Sequence, residues 1–170
     1  KLIAKRYTKF EDVFDYFMPV SRRTRNNQYC SSMWGRTRDG DYASAINHTL
    51  KSIDRCRTLH CISSVFNNGR YSKLNFATRK PTVEFRHHSG TTDFDKISNW
   101  VLVCMSIVNA ASNGKPIKKM ERNRQGTRPL AHRFSVLFGA LDVDSTVKTF
   151  FRKRMKHFIK LDGQPESVGA

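Results

Sequence analysis

Several things are scarce in these 170 residues. No apolar run approaches the roughly 18 residues that a membrane-crossing helix needs, and mean hydropathy is −0.58. The opening stretch KLIAKRYTKFEDVF is charged and mixed, unlike a secretory leader. It also has no initiator Met, which suggests a processed product or a fragment. Glycine (nine) and proline (five) are few, and there is no internal repeat or low-complexity tract. Cysteine is limited to four, at 30, 56, 61 and 104. CRTLHC places Cys56, His60 and Cys61 together, but a structural zinc site normally needs a second close pair. The expectation is therefore buried, reduced thiols in a cytosolic chain, or one held in a larger particle such as a phage virion, rather than a secreted one. No local sequence marks an activated thiol, and no nucleophile elbow accompanies the available serines.

Acid is the scarcest chemistry. Asp and Glu number 14 against 31 Lys and Arg, a formal charge of +17. Such a balance favours nucleic acid, anionic surfaces or phosphorylated ligands. The excess is spread over both halves of the chain. No helix-turn-helix, RRM core or zinc-finger spacing is present. SVFNNGRYSKLNF interleaves aromatics with basic residues and can stack bases, although core packing accounts for the same rings.

What is present reads as a globular domain: 38% hydrophobic and 11% aromatic residues, with 12 Phe. One domain is expected over 1–160, with a loose tail at 161–170. Residues 8–18 predict a helix with a Thr8/Glu11 capping box, an apolar face of Phe10, Val13, Phe14 and Phe17, and Pro19 as its stop. Residues 20–40 read as irregular and basic. Helical spacing returns over 42–53. LHCISSVF at 59–66 reads as a short strand, NNG at 67–69 as a turn, and 70–77 with 82–88 as a hairpin-like strand pair. The clearest helix covers 93–111, with Phe94, Ile97, Trp100, Val101, Cys104 and Val108 on one face and Thr92 and Asp95 as caps. A polar basic loop follows over 113–129. A last helix over about 144–159 turns Val147, Phe151, Met155 and Phe158 inward.

PTVEFRHHSGTTDFD, residues 81–95, carries the chemistry. Strand alternation puts Thr82, Glu84, Arg86 and His88 on one face and Val83, Phe85 and His87 on the other. A carboxylate two residues from a guanidinium can hold a divalent metal beside an anion-binding fork. It can equally be an ordinary ion pair on a solvated sheet face. Arg70, Tyr71 and Asn75 stand nearby in sequence, Arg79 and Lys80 precede the strand, and the early loop adds Arg22, Arg23 and Arg25 with Asn26 and Asn27. Arginine forks around one acid suit a polyphosphate with its metal.

SRRTRNNQYC (21–30), GRYSKLNF (69–76) and PTVEFRHHSGTTDFDKISNWV (81–101) resemble, in order, motifs of the amidoligases. The string E-F-R-x-H-x-G-T is the most specific of them. LFGALDVDSTVKTFFRKR is similar to that family's closing segment, a Leu-Gly turn and then an aromatic, Arg-rich helix. His87 stands where the family often has Gln, and Ser89 where it often has Glu.

The resemblance implies an α+β fold, an antiparallel sheet flanked by helices as in glutamine synthetase-like carboxylate–amine ligases. It implies ATP and Mg²⁺ as cofactors, a carboxylate activated as an acyl phosphate, and an amine that attacks it to form an amide. By motif, Glu84 would hold Mg²⁺, and Arg86 the carboxylate or transferring phosphoryl. Arg70, Arg79 and Arg22 or Arg23 would steady ATP phosphates. Asn27, Tyr71 and Asn75 would line or brace the pocket, and His88 would position groups or move a proton. The family's amino-terminal half, with an early acidic strand and a His-x-His motif, has no counterpart here. The chain is thus expected to be a carboxyl-terminal portion whose partner segment or chain brings the remaining acids. A catalytically silent structural or virion component and a basic nucleic-acid-binding module are the other readings.

Overall fold

The computed structural model describes residues 1–23, 27–34, 42–66, 69–80, 82–117 and 129–163. Arg25, Asn26, most of the arginine-rich 31–40 stretch, the NN of the expected turn, the centre of the 113–129 loop and the tail from 164 onward lie outside them. The described residues are mostly helical, with one two-stranded antiparallel sheet, an α+β composition. They fall into two compact units: residues 1–11 with 20–88, and residues 12–19 with 89–170.

The first unit contains most of α1 (Leu2–Asp15), then α2 (Val20–Arg23), α3 (Tyr42–Arg55), α4 (Leu59–Val65), a 3₁₀ turn (Gly69–Tyr71), β1 (Leu74–Asn75) and β2 (Glu84–Phe85). The strands pair with Leu74 opposite Phe85 and Asn75 opposite Glu84. The hairpin-like pairing read from sequence is therefore present, though each strand is only two residues long. The pairing continues through main-chain bonds: Arg86 N donates to Lys73 O at 2.9 Å, and Lys73 N to Ser31 O at 2.9 Å. Ser31 thereby bridges Ser72 in parallel.

Three sequence expectations are corrected in this unit. α1 begins at Leu2 rather than at residue 8, so Thr8 and Glu11 are interior and buried and form no capping box. Backbone geometry departs from helical at Phe10 (φ −114°, ψ 17°) within it. LHCISSV is a helix, not a strand. Thr58 caps it by accepting from Cys61 N at 3.1 Å, a local bond that outweighs the β-branched character of the segment. Third, Cys56 and Cys61 are joined as a disulfide rather than held as reduced thiols. Cys30 and Cys104 take no part in a disulfide, and burial pushes the Cys104 thiol up.

Polar groups lie at the centre of this unit. Lys73 Nζ and Glu11 Oε1 are 2.7 Å apart, with both side chains 1% exposed. Glu11 Oε2 accepts from Met33 N at 2.8 Å. One carboxylate thus joins α1, the 31–33 segment and the approach to β1.

The second unit is built from α5 (Phe94–Ser112), α6 (Leu130–Ala140), α7 (Ser145–Leu161) and the chain from Asp12 to Pro19. Phe17 is fully buried against Phe134, Phe138 and Phe151, the last at 4.6 Å between ring centroids. Phe134 stacks on Phe138 at 4.4 Å. Arg154 Nε donates to Phe17 O at 3.0 Å, which satisfies a carbonyl just past the end of α1. Asp93 caps α5 and Asp144 caps α7, each accepting from a main-chain N–H in the first turn. Asp93 replaces the expected Thr92 and Asp95.

α6 runs through Gly139 where a turn was expected. On α5 the buried side chains are Trp100, Val103, Ser106, Ile107 and Ala110, while Phe94, Ile97 and Val101 face solvent. In α7, Val147, Phe151 and Met155 are buried as read, with Ile159 rather than Phe158 completing the face.

The buried pair yields a stability test. Glu11→Gln or Lys73→Met alone leaves the opposite charge buried and is expected to cost about 3–5 kcal/mol in urea unfolding. The double change Glu11→Leu/Lys73→Met is expected to recover most of this. The shortfall of about 1–3 kcal/mol reflects the Met33 N–H that loses its acceptor.

Candidate functional site

Glu84 and Arg86 both project from the β2 segment on one face, as alternation requires. Their side chains pair, Arg86 Nη1 to Glu84 Oε1, at 2.8 Å. Asn75, directly across the ladder, donates Nδ2 to Glu84 Oε2 at 2.9 Å. Its Oδ1 accepts from Ala77 N at 2.8 Å, which sets the orientation of the amide. Both oxygens of Glu84 are thus engaged, while 46% of its side chain remains exposed.

Tyr71 supplies the other wall. The Arg70 guanidinium lies 5.2 Å and that of Arg86 5.7 Å from its ring centroid. Cations held against an aromatic ring within about 6 Å gain electrostatic attraction from its quadrupole. Gly69 makes this possible. Its φ of +49° opens the 3₁₀ turn that presents Arg70 and Tyr71, and a Cβ there would meet strain rather than crowding. Tyr71 O accepts from Ser31 N at 2.9 Å, which ties the turn to the 31–33 segment. Sequence reasoning assigned no role to Tyr29, although it lies inside the quoted SRRTRNNQYC string. Its ring packs edge-on against Tyr71 at 5.9 Å, and its carbonyl accepts from Arg86 Nη2 at 3.5 Å.

The other expected site residues are distributed differently. Arg22 turns inward to the main chain. Its Nη2 donates to Arg86 O and to His88 O, the latter at 3.3 Å, and its Nε donates to His87 O at 3.2 Å. It clamps the strand that carries the site. Arg23 follows it at the end of α2. Asn27 folds its own loop, donating to Ser21 O at 2.6 Å and accepting from Tyr29 N at 2.9 Å. His88 is partly exposed at the end of the strand segment. Arg79 lines a separate groove with Lys80 and His60.

The opposite face of the strand segment turns inward, with His87 fully buried and Val83 and Phe85 half-buried. Tyr7 from α1 packs edge-on against Phe85 and His87, and its hydroxyl lies 2.7 Å from His87 Nδ1. Burial holds the His87 imidazole well below the ordinary histidine value. The Lys73 ammonium reinforces this, Arg22 and His88 add to it, and the Glu11 carboxylate opposes it.

The cluster presents two guanidinium groups around one phenol ring, next to one carboxylate. This suits a carboxylate or phosphoryl group, which an arginine fork holds by paired hydrogen bonds. It does not by itself make a Mg²⁺ site. Glu84 is already paired with a cation and an amide, and among the described residues no three His, Cys, Asp or Glu side chains gather to hold a metal.

A family model described as "Putative amidoligase enzyme" matches residues 1–108, more than half of the chain. The matched stretch includes every residue of the Tyr71–Glu84–Arg86 cluster and ends within α5. The similarity noted in the closing segment lies beyond it. No curated protein and no solved structure matches.

Neutral, buried His87 makes stability depend on pH. Its folded value lies below the unfolded one near 6.5, so the unfolded chain binds the extra proton. The contribution is complete above about pH 6.5 and is lost as pH falls below it. Urea midpoints measured from pH 7.5 to 5 are expected to fall, by at most about 1.4 kcal/mol per pH unit from this group. His87→Gln should flatten that slope, whatever it does to the midpoint itself.

Proposed function

We propose, from the premise that this chain belongs to the amidoligase family, that it provides the anion-handling part of an ATP-dependent carboxylate–amine ligase with a glutamine synthetase-like fold. ATP would supply the phosphoryl group that turns a carboxylate into an acyl phosphate, which an amine then converts to an amide. Family membership supports ligase chemistry in general. The observation that carries the finer reading is the pair of guanidiniums, Arg70 and Arg86, set around Tyr71 and steadied by Glu84.

In this reading Arg86 receives the carboxylate substrate or the phosphoryl in transfer, and Arg70 a neighbouring phosphate. Negative charge that develops on those oxygens meets cations already oriented by the tyrosine ring, so little reorganisation is needed during the reaction. Asn75 and Glu84 act as positioning residues for Arg86. A metal would need carboxylates from another segment or chain, whose arrival would release Glu84 from its present partners. A catalytically silent component is the second reading, favoured by the engagement of both Glu84 oxygens.

The test is ADP release that requires both a carboxylate, such as glutamate, and an amine, using the protein together with whatever upstream segment its coding sequence provides. Arg86→Ala is expected to lower kcat/KM by about 10²-fold or more. Because the Arg86–Glu84 pair is partly exposed, the same change should cost no more than about 1 kcal/mol of stability. Turnover that is unaffected by Arg86→Ala and Arg70→Ala would remove these residues from the reaction. Absence of turnover with any acid–amine pair would favour the silent component.

A further inference from the structure

We propose that a groove between α4 and the β1–β2 connection binds a ligand bearing a phosphate or carboxylate group, and that the Cys56–Cys61 disulfide maintains its shape. This does not depend on ligase chemistry, and the groove is distinct from the Tyr71–Glu84–Arg86 cluster. Its lining includes none of Arg70, Tyr71, Asn75, Glu84 and Arg86.

The groove has a volume of about 410 Å³, within the range of small-molecule sites. Two of its lining residues, Arg79 and Lys80, are cationic, His60 adds an imidazole, and none is acidic. Leu59 and Phe76 add apolar surface. Phe76 is itself fixed by stacking on Phe66 at 6.0 Å, while Leu59 is 46% exposed. The wall that carries Arg79 and Lys80 is braced internally. The single Thr78 hydroxyl proton is shared between Lys80 O at 2.5 Å and Thr82 O at 2.9 Å, and Ala77 N is held by Asn75. Two adjacent cations on a braced loop, facing a third group and an apolar shelf, suit an anionic head on a small apolar body.

The opposite wall depends on the disulfide. Cys56 follows the end of α3, Cys61 lies in the first turn of α4, and Leu59 and His60 sit inside the closed loop. Cys56 is buried and Cys61 is exposed, so a soluble thiol can reach the bond from the Cys61 side. Arg57 follows Cys56 directly in the same loop, and a neighbouring cation favours a departing thiolate. Reduction by a dithiol breaks the S–S bond. Two electrons and two protons pass to the cysteine sulfurs, and the dithiol closes to its own disulfide. Leu59 and His60 then lose their covalent anchor while the Arg79–Lys80 wall keeps its bonds, so anion binding weakens in the reduced protein.

NMR titration of the full chain tests this at constant ionic strength, with inorganic phosphate in one arm and benzoate in the other. The amides of His60, Ala77 and Arg79 are expected to shift saturably, and the arm with the tighter constant identifies the head group. Arg79→Gln/Lys80→Gln should weaken that constant tenfold or more. Dithiothreitol, or Cys56→Ser/Cys61→Ser, should weaken it several-fold while the amides of β1 and β2 keep their positions. Shifts that rise without saturation at every Lys and Arg alike would overturn the site. Affinity that is the same before and after reduction, and in the double serine variant, would overturn the role of the disulfide.

Discussion

The candidate site rests on a charge pair that never meets solvent. Glu11 and Lys73 are each 1% exposed, and two isolated charges at such depth would be prohibitive. Together, with Met33 N–H on the second carboxylate oxygen, they become a joint between elements far apart in sequence. Lys73 immediately precedes β1, and its carbonyl accepts from Arg86 N. The geometry of the joint therefore passes directly into the strand segment that carries the site arginine. Tyr7, one helical turn before Glu11, meets His87 and Phe85 from the same helix. Helix, strand and site register are set by one buried polar network. Such a network specifies an arrangement more than it adds net stability.

With the strand fixed from beneath, the exposed face can hold cations close together. Arg70 and Arg86 share one tyrosine ring, and Glu84 offsets one of the two charges. Arg22, which the sequence suggested for phosphate, instead holds three successive carbonyls of the segment. A guanidinium has five donors in a rigid fork, so it can serve as a main-chain clamp as readily as an anion receptor. Only the fold decides which role each arginine takes.

Legibility follows the same division between local and non-local causes. Alternation is local, and from 84 to 87 the face assignment holds in the structure, with Glu84 and Arg86 paired on one side and Phe85 and His87 meeting Tyr7 on the other. The face of α5 was not legible, because the helix is uncharged from Ile97 to Ser112 and apolar residues occur around its whole circumference. Periodicity then carries no direction, and packing alone selects Trp100, Val103 and Ile107 for burial. In α4, Ile62 and Val65 suggested a strand, whereas the Thr58 cap makes a helix. α6 shows the opposite error. Phe134, Leu137 and Phe138 stand at helical spacing and are buried, but Gly139 drew attention as a turn. The partner of Glu11, 62 residues away, had no sequence signal, since any of the many lysines was available.

The scarcity of acid sharpens the functional argument. In a chain of +17, an exposed carboxylate is surrounded by candidate cations, and Glu84 has found one in Arg86. A ligase that moves a phosphoryl between two anions needs cations to bring the reactants together and acids to hold a metal between them. The Tyr71 cluster provides the first requirement through Arg70 and Arg86, whereas among the described residues no three acid, His or Cys side chains gather to hold a metal. The same imbalance explains why Glu84 lies against an arginine here. Through that ion pair the carboxylate orients the guanidinium. If further carboxylates and a metal entered, Glu84 would exchange a positioning role for a ligating one, and Arg86 would be freed toward substrate.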